Sequence, residues 1–297
     1  MELNEELKNI IKILQEEKTI CLLAPSFPAD FSFPEIILEL RSLGFTKVME
    51  LTYAAKLINY RYIEILKENP ENQYICGNCP TIVKMIKVKY PKYVDKIIDV
   101  ASPMVVMARF VKREYGEDYK TIFIGPCFAK KLEAKENSDC VDFALTYKEL
   151  YDIYNYLDEN KLLKEIPDTK ENREFDKFYN DITKIYPLGG GVAESMLNKQ
   201  VLQKDEIIVC DGPDTLEKVI DDLNDFKKFR FVDILFCKGG CLGGPGMISK
   251  DTVEDKKKRI IDYKDKSRYY EPDEKYGKFI HAFGLDIKRK RFKSDSK

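Results

Sequence analysis

Apolar and polar positions along the chain alternate between two regimes. Short unbroken apolar runs such as "TICLLAP" (Thr19–Pro25), "KVMEL" (Lys47–Leu51), "YIC" (Tyr74–Cys76), "TIFIGPC" (Thr121–Cys127), "CVDFALT" (Cys140–Thr146), "EIIVCDG" (Glu206–Gly212) and "VDILFC" (Val232–Cys237) read as buried strands. Between them lie segments with helical spacing. "PEIILELRSLGF" closes at Gly44, and "AAKLINYRYIEIL" follows. "SPMVVMARFVKREYG" has a proline near its start and a glycine at its end. "KKLEAKE", "YKELYDIYNYL" and "TLEKVIDDLNDF" continue the pattern. At the N-terminus, Leu3, Leu7, Ile10, Ile11 and Leu14 recur at helical spacing, which predicts an amphipathic helix. Strands alternating with helices predict an α/β fold with parallel sheets. Two successive sets predict two lobes of parallel sheet flanked by helices, the first over about 1–118 and the second over about 119–250. The polar stretch Asn155–Asp181 reads as a surface insertion or a helix pair. The charged stretch 251–297 is expected to wrap the surface.

Composition narrows the class. The chain has 297 residues, with 50 Lys and Arg against 51 Asp and Glu, a net charge of −1. Nothing in that balance gives the global basic field that nucleic acid attracts. The basic cluster "KRKRF" (Lys288–Phe292) is expected to be a solvated terminus. No apolar run reaches the roughly 18 residues of a membrane span. The N-terminus has acids early and no apolar segment of the kind a secretory signal carries. A cytoplasmic protein is therefore expected, without nucleic-acid or membrane partners. In such a compartment the eight cysteines are better read as metal ligands, reactive thiols or core residues than as disulfides. A single histidine, His281, argues against the common histidine-based metal and catalytic sites and is expected to be structural or exposed.

Loops that follow parallel strands open on one edge of the sheet, where ligands bind in such folds. Three cysteine motifs fall in such loops: "CGNCP" after "YI", "GPC" after "TIFI" and "CKGGC" after "VDILF". In "FCKGGCLGGPG" the glycines permit left-handed backbone and close approach to a bulky ligand. In "GPCFAKKLE", Lys130 and Lys131 follow Cys127 closely enough to lower a thiol pKa or bind an anion. Cys79, Cys127, Cys237 and Cys241, from three loops, suit a [4Fe–4S] cubane. Zinc on four thiolates is the competing reading, although zinc sites usually draw two close C-x-x-C pairs and only one is present. Cys76 and Cys79 could also form a redox dithiol, which would leave the other three cysteines unexplained. Cys21, Cys140 and Cys210 lie in apolar runs and are expected in the core.

These motifs resemble those of the catalytic, H-cluster domain of the [FeFe] hydrogenases. That family carries T-S-C-C-P, then M-P-C-x-x-K-x-x-E, then C-x-x-x-C followed by glycines. Here "CGNCP" looks like the first, "GPCFAKKLE" matches the second with Cys127, Lys130 and Glu133 in register, and "CKGGCLGG" matches the third. "APS" (Ala24–Ser26), "LGFTKVMELTYAA", "SPMVVMA" and "YPLGGGVAES" are similar too, so the resemblance runs from about Thr19 to Gly246. It implies two α/β lobes with the iron–sulfur site at their interface. Cys79, Cys127, Cys237 and Cys241 would hold a [4Fe–4S] cluster. Cys241 would also bridge to a two-iron subsite bearing CO, cyanide and azadithiolate. Lys130 would donate to a cyanide nitrogen, with Ala24, Pro25, Ser26, Pro103 and Tyr186 lining the pocket. The activity implied is the reversible reduction of protons to H2, with Lys130, Asn78 and Glu133 as catalytic candidates. The implied partners are a ferredoxin-like electron carrier and the H-cluster maturation proteins.

The chain departs from the family at telling places. Asn78 stands where the family has a cysteine that passes protons, so relay at that position is lost unless Cys76 replaces it. Gly125 replaces a methionine, Leu235 lies near another, and Pro245 interrupts the third glycine. Asp30 is a candidate member of the proton path. Such departures mark slow or H2-sensing members. Two alternatives stay open: a protein with a [4Fe–4S] cluster only, serving electron transfer or iron–sulfur assembly, and a regulatory module whose H2 occupancy changes a partner contact.

Overall fold

The computed structural model describes residues 3–178, 182–197, 201–221, 223, 229–267 and 284–290. The chain runs α1 (Glu5–Glu16), β1 (Thr19–Leu23), α2 (Glu35–Leu43), β2 (Lys47–Glu50), α3 (Thr52–Glu68), β3 (Tyr74–Ile75), α4 (Pro80–Lys89), α5 (Pro103–Tyr115), β4 (Lys120–Gly125) and α6 (Ala129–Glu136). It continues with β5 (Phe143–Thr146), α7 (Tyr147–Glu159), α8 (Gly191–Leu197), β6 (Ile207–Asp211), α9 (Pro213–Asp221), β7 (Phe231–Leu235) and α10 (Val253–Ser267). Every strand pairing is parallel. The α/β class with parallel sheets flanked by helices is as the alternation predicts.

The sheets do not divide at residue 118. One sheet has the order β2-β1-β4-β5 and the other β3-β7-β6. β4 and β5, expected in a second lobe, join β1 and β2. β3, expected in the first, pairs with β7, where Tyr74 faces Phe231 and Ile75 faces Val232. Periodicity records which residues are buried, not which strand lies alongside. β1 shows how the layers form. It is central and buried throughout, so both faces need cover. Ile20 and Leu22 turn to a core shared with α3, α5 and Phe231 of the second sheet. Cys21 and Leu23 turn the other way, to α1, α2, α7 and α10. α4 and α9 cover the far face of the second sheet. Cys21, Cys140 and Cys210 are all buried, as expected.

Among its described residues, the stretch Asn155–Asp181 forms no helix pair after α7 ends. It runs back along the edge strand β2: Glu50 N donates to Lys177 O at 2.8 Å, and Val48 N donates to Asp176 Oδ2 at 2.8 Å. That pairing covers an edge that would otherwise present free backbone groups. Within 251–297, α10 lies across the first sheet's end. The basic tail is not simply solvated. Lys288 and Lys290 point outward, but Arg289 turns in and hydrogen-bonds backbone carbonyls. Arg291, Phe292 and His281 lie outside the described residues.

Candidate metal centre

Because all strands are parallel, the C-terminal ends of β1, β3, β4 and β7 open toward common ground between the two sheets. β3 leads into Cys76–Cys79. There Cys79 caps α4 with an extended backbone, and Pro80 starts the helix, a position where its missing N–H costs nothing. β4 leads into Pro126 and Cys127 ahead of α6. β7 leads into Phe236 and Cys237, then a short 3-10 helix, Gly240–Gly243, that carries Cys241. Gly239 just before it and Gly240 at its start hold φ of 80° and 67°, a left-handed turn that L side chains disfavour. Cys241 N then donates to Pro187 O at 2.8 Å.

The four predicted cysteines share one electrostatic neighbourhood. Burial pushes the Cys241 thiol up, reinforced by the charges of Cys79, Cys127 and Cys237 and opposed by Lys130. Cys237 is pushed up to about 11 by burial, then by Cys79 and Cys127. Cys79 is also raised by burial, against the backbone amides of Ile82 and Phe236 that hydrogen-bond to it. Among the described residues, no three His, Cys, Asp or Glu groups come close enough to hold a single metal ion.

Beside them lies a cavity of about 110 Å³, several times the space one water requires. Cys79, Cys127 and Cys241 line it, together with Ala24, Pro25, Ser26, Asn78, Pro103, Lys130 and Tyr186. Cys237 and Glu133 do not. Glu133, buried, instead holds Lys130: Lys130 Nζ donates to Glu133 Oε2 at 2.6 Å and to Asn78 O at 3.4 Å. Ser102 Oγ donates to the same carboxylate oxygen at 3.0 Å. Ser26 is engaged with Tyr147 OH at 2.7 Å, and Tyr186 OH donates to Ala55 O at 3.1 Å.

Asn78 accepts the Tyr62 hydroxyl on Oδ1 at 3.1 Å, while its buried Nδ2 has no partner among the described residues. An orphaned donor at the wall of a cavity fits an acceptor placed there. Cys76 does not face the cavity. It is buried beside Tyr62 OH at 3.9 Å, and burial pushes its thiol far up. Asp30 clamps the loop after Cys241, accepting from Ile248 N at 2.7 Å and Ser249 N at 2.9 Å. It lines a different cavity. At Gly125 the absent side chain leaves no gap, because the Phe123 ring and Ala24 fill that space.

Leu51, Ala55, Pro80, Met104, Phe123, Pro126, Pro187, Val192 and Leu235 complete the cavity wall; in the sequence Leu235 was singled out individually and the others only as members of the quoted stretches. Apart from Pro80, they are ordinary core types on buried elements. The signal for Leu51, Ala55, Met104, Pro187 and Val192 is their place in the family-like stretches "LGFTKVMELTYAA", "SPMVVMA" and "YPLGGGVAES", and for Phe123 and Pro126 their nearness to Cys127.

The family described as "Iron only hydrogenase large subunit, C-terminal domain" matches residues 17–245, and the chain belongs to it. Iron hydrogenase 1 of Clostridium pasteurianum is 25% identical over 267 residues, covering 71% of this chain and 45% of that protein. Cytosolic Fe-S cluster assembly factor NAR1 of Encephalitozoon cuniculi is 25% identical over 230 residues, covering 70% of this chain and 60% of that one. The chain thus spans about half the length of these relatives. Among solved structures, [FeFe]-hydrogenase HydA1 from Chlamydomonas reinhardtii superposes with a TM-score of 0.65 at 17% identity, covering 87% of this chain and 88% of that one. That likeness establishes a shared fold. Among the described residues no helix is long and apolar enough to cross a membrane.

Proposed function

We propose that the protein is an [FeFe]-hydrogenase-type iron–sulfur protein that interconverts protons, electrons and H2, slowly or as an H2 sensor. Cys79, Cys127, Cys237 and Cys241 would hold a [4Fe–4S] cluster. A two-iron subsite with CO, cyanide and azadithiolate would occupy the adjoining cavity, linked through Cys241. When bound, the two centres supply electron storage and the site at which H2 is made or split. The observation that carries this reading is the apolar cavity itself. It adjoins three of the four cysteines, and a lysine ammonium and an unpartnered amide stand at its wall. A cluster-only protein has no need of such a chamber.

The chain's own residues have definable parts in this reading. Lys130 presents a fixed positive charge suited to an anionic ligand atom. Glu133 and Ser102 orient it, and Glu133 acts through Lys130 rather than touching the reacting centre. The apolar wall of Met104, Phe123 and Val192 excludes water. A ferredoxin-like carrier would deliver electrons at the cubane, and maturation proteins would insert the two-iron unit.

A second reading is a [4Fe–4S] protein in electron transfer or iron–sulfur assembly. It is favoured by the similarity to an assembly factor and by Asn78, which cannot exchange protons near neutral pH. Infrared spectroscopy after treatment with a synthetic two-iron complex separates the two. We expect CO and cyanide bands in the wild type and bands reduced to roughly a tenth in Lys130→Ala, the loss of one charge-assisted hydrogen bond. Both proteins should bind the cubane equally. Wild-type protein with a full cubane and no such bands would leave the second reading standing.

A further inference from the structure

Residues Gly284–Lys290 lie along the site as an extended strap. Ala101 N donates to Ile287 O at 2.8 Å. Arg109 of α5 donates to the carbonyls of Asp286 and Lys288 at 3.0 and 2.7 Å. Leu285 and Ile287 pack on the shared core. From this strap the Arg289 guanidinium reaches inward. Its Nη2 donates to Val100 O at 3.0 Å and to Gly77 O.

Those two carbonyls belong to different loops. Gly77 precedes Asn78 and Cys79. Val100 precedes Ser102 and Pro103, which hold Lys130's partner carboxylate and line the cavity. The closeness of the guanidinium depends on Gly77, because a Cβ there would overlap Nη2. An arginine from the far end of the chain and a glycine inside the C-x-x-C are thus shaped to each other. None of the described strap residues lines the cavity, so the strap meets the site through the Gly77 and Val100 carbonyls of the loops that do.

We propose that Arg289 is a positioning residue for the first cysteine loop, tying the Gly77 and Val100 carbonyls together and so setting where Cys79 presents its sulfur and Asn78 its amide. The consequence for metal binding rests on the reading of Cys79 as a cluster ligand. The consequence for loop geometry does not, so the apo protein provides a separate measure.

The test compares the rates at which iodoacetamide alkylates Cys79 and Cys127 in apo protein, read by mass spectrometry. Cys127 sits on another loop and serves as the internal reference. Arg289→Ala removes both hydrogen bonds, and Gly77→Ala evicts the guanidinium while keeping the arginine. Each should raise the Cys79-to-Cys127 ratio at least about tenfold, the scale of losing charged hydrogen bonds that hold a loop closed. The double variant should exceed neither single, because the two changes break one contact. Arg289→Lys, which keeps a charged donor, should stay within about threefold of wild type, a smaller loss because its donors lack the planar geometry.

In reconstituted protein the same variants should lose iron to a ferrous chelator about tenfold faster in step with the alkylation ratio. An unchanged ratio in Arg289→Ala, or Cys79 and Cys127 rising together, overturns the proposal. Wild-type protein that binds no cluster would sink the cluster reading and leave the alkylation result to decide the role of Arg289.

Discussion

Asn78 and Cys76 lie two residues apart, and the structure gives them opposite surroundings. Asn78 lines the cavity but offers only an amide. Cys76 offers a thiol but is sealed in the core against Tyr62, where burial and the charge of Asp233 keep it protonated. Neither can shuttle protons to the cavity at neutral pH. A cysteine at position 78, with an ordinary pKa near ~8.5, could. In protein carrying both metal centres, Asn78→Cys is expected to raise H2 evolution by about tenfold or more, and Cys76→Ala to change it less than about twofold. A gas-evolution assay decides. A large loss in Cys76→Ala with no gain in Asn78→Cys would place the proton route through the core thiol. At this scale the sequence was informative about the cysteines, because four rare side chains at loop positions leave few explanations. It was uninformative about Cys76, because one residue's turn along a loop reverses its side chain.

Among the elements, β7 holds an anomaly that its pattern alone shows without explaining. "FVDIL" is buried throughout, with an aspartate at its centre. Asp233 Oδ2 accepts from Ala193 N at 2.9 Å at the start of α8, while Oδ1 has no partner among the described residues. Burial raises its carboxyl to about 6, against the pull of the Ala193 and Val192 amides. Its folded value lies above its ordinary 3.8. The stability it contributes is therefore full below about pH 4 and lost as pH rises through about 6. Relative to Asp233→Asn, the apo wild type is expected to lose about 3 kcal/mol between pH 4 and 7.5, a shift of about two units. Urea unfolding across that range measures it. Parallel pH profiles for the two proteins would mean that the carboxylate is solvated. No local pattern could show this partner, since α8 comes from forty residues upstream and its glycine-rich start does not read as a helix.

Across the whole molecule, distant segments are joined by a buried charge cluster at the end of the first sheet. Lys184 Nζ donates to Glu50 Oε2 of β2 and to Tyr263 OH of α10, both at 2.8 Å, and Tyr263 OH donates to Glu50 Oε1 at 3.1 Å. Lys184 and Glu50 are fully buried. Removing one charge leaves the other stranded in low dielectric, whereas removing both can be nearly neutral. Lys184→Met or Glu50→Gln alone is expected to cost about 3–5 kcal/mol, and the double variant much less than their sum. Chemical denaturation of the three variants tests this. Additive losses would show that the groups are independently hydrated.

Most element types, and which residues are candidates for chemistry, were legible in the sequence itself. Side-chain periods of two and 3.6 residues are local, so burial along "TICLL" or α1 is written where it occurs. Cysteine spacing likewise survives any arrangement of the loops. Sheet membership, the apolar wall around the cysteines, the inward turn of Arg289 and the burial of Asp233 were decided only by tertiary structure. Each depends on which distant segment lies alongside. Parallel pairing joins strands through crossovers, whose length leaves the choice of neighbour open, and that choice is settled by packing of the whole chain.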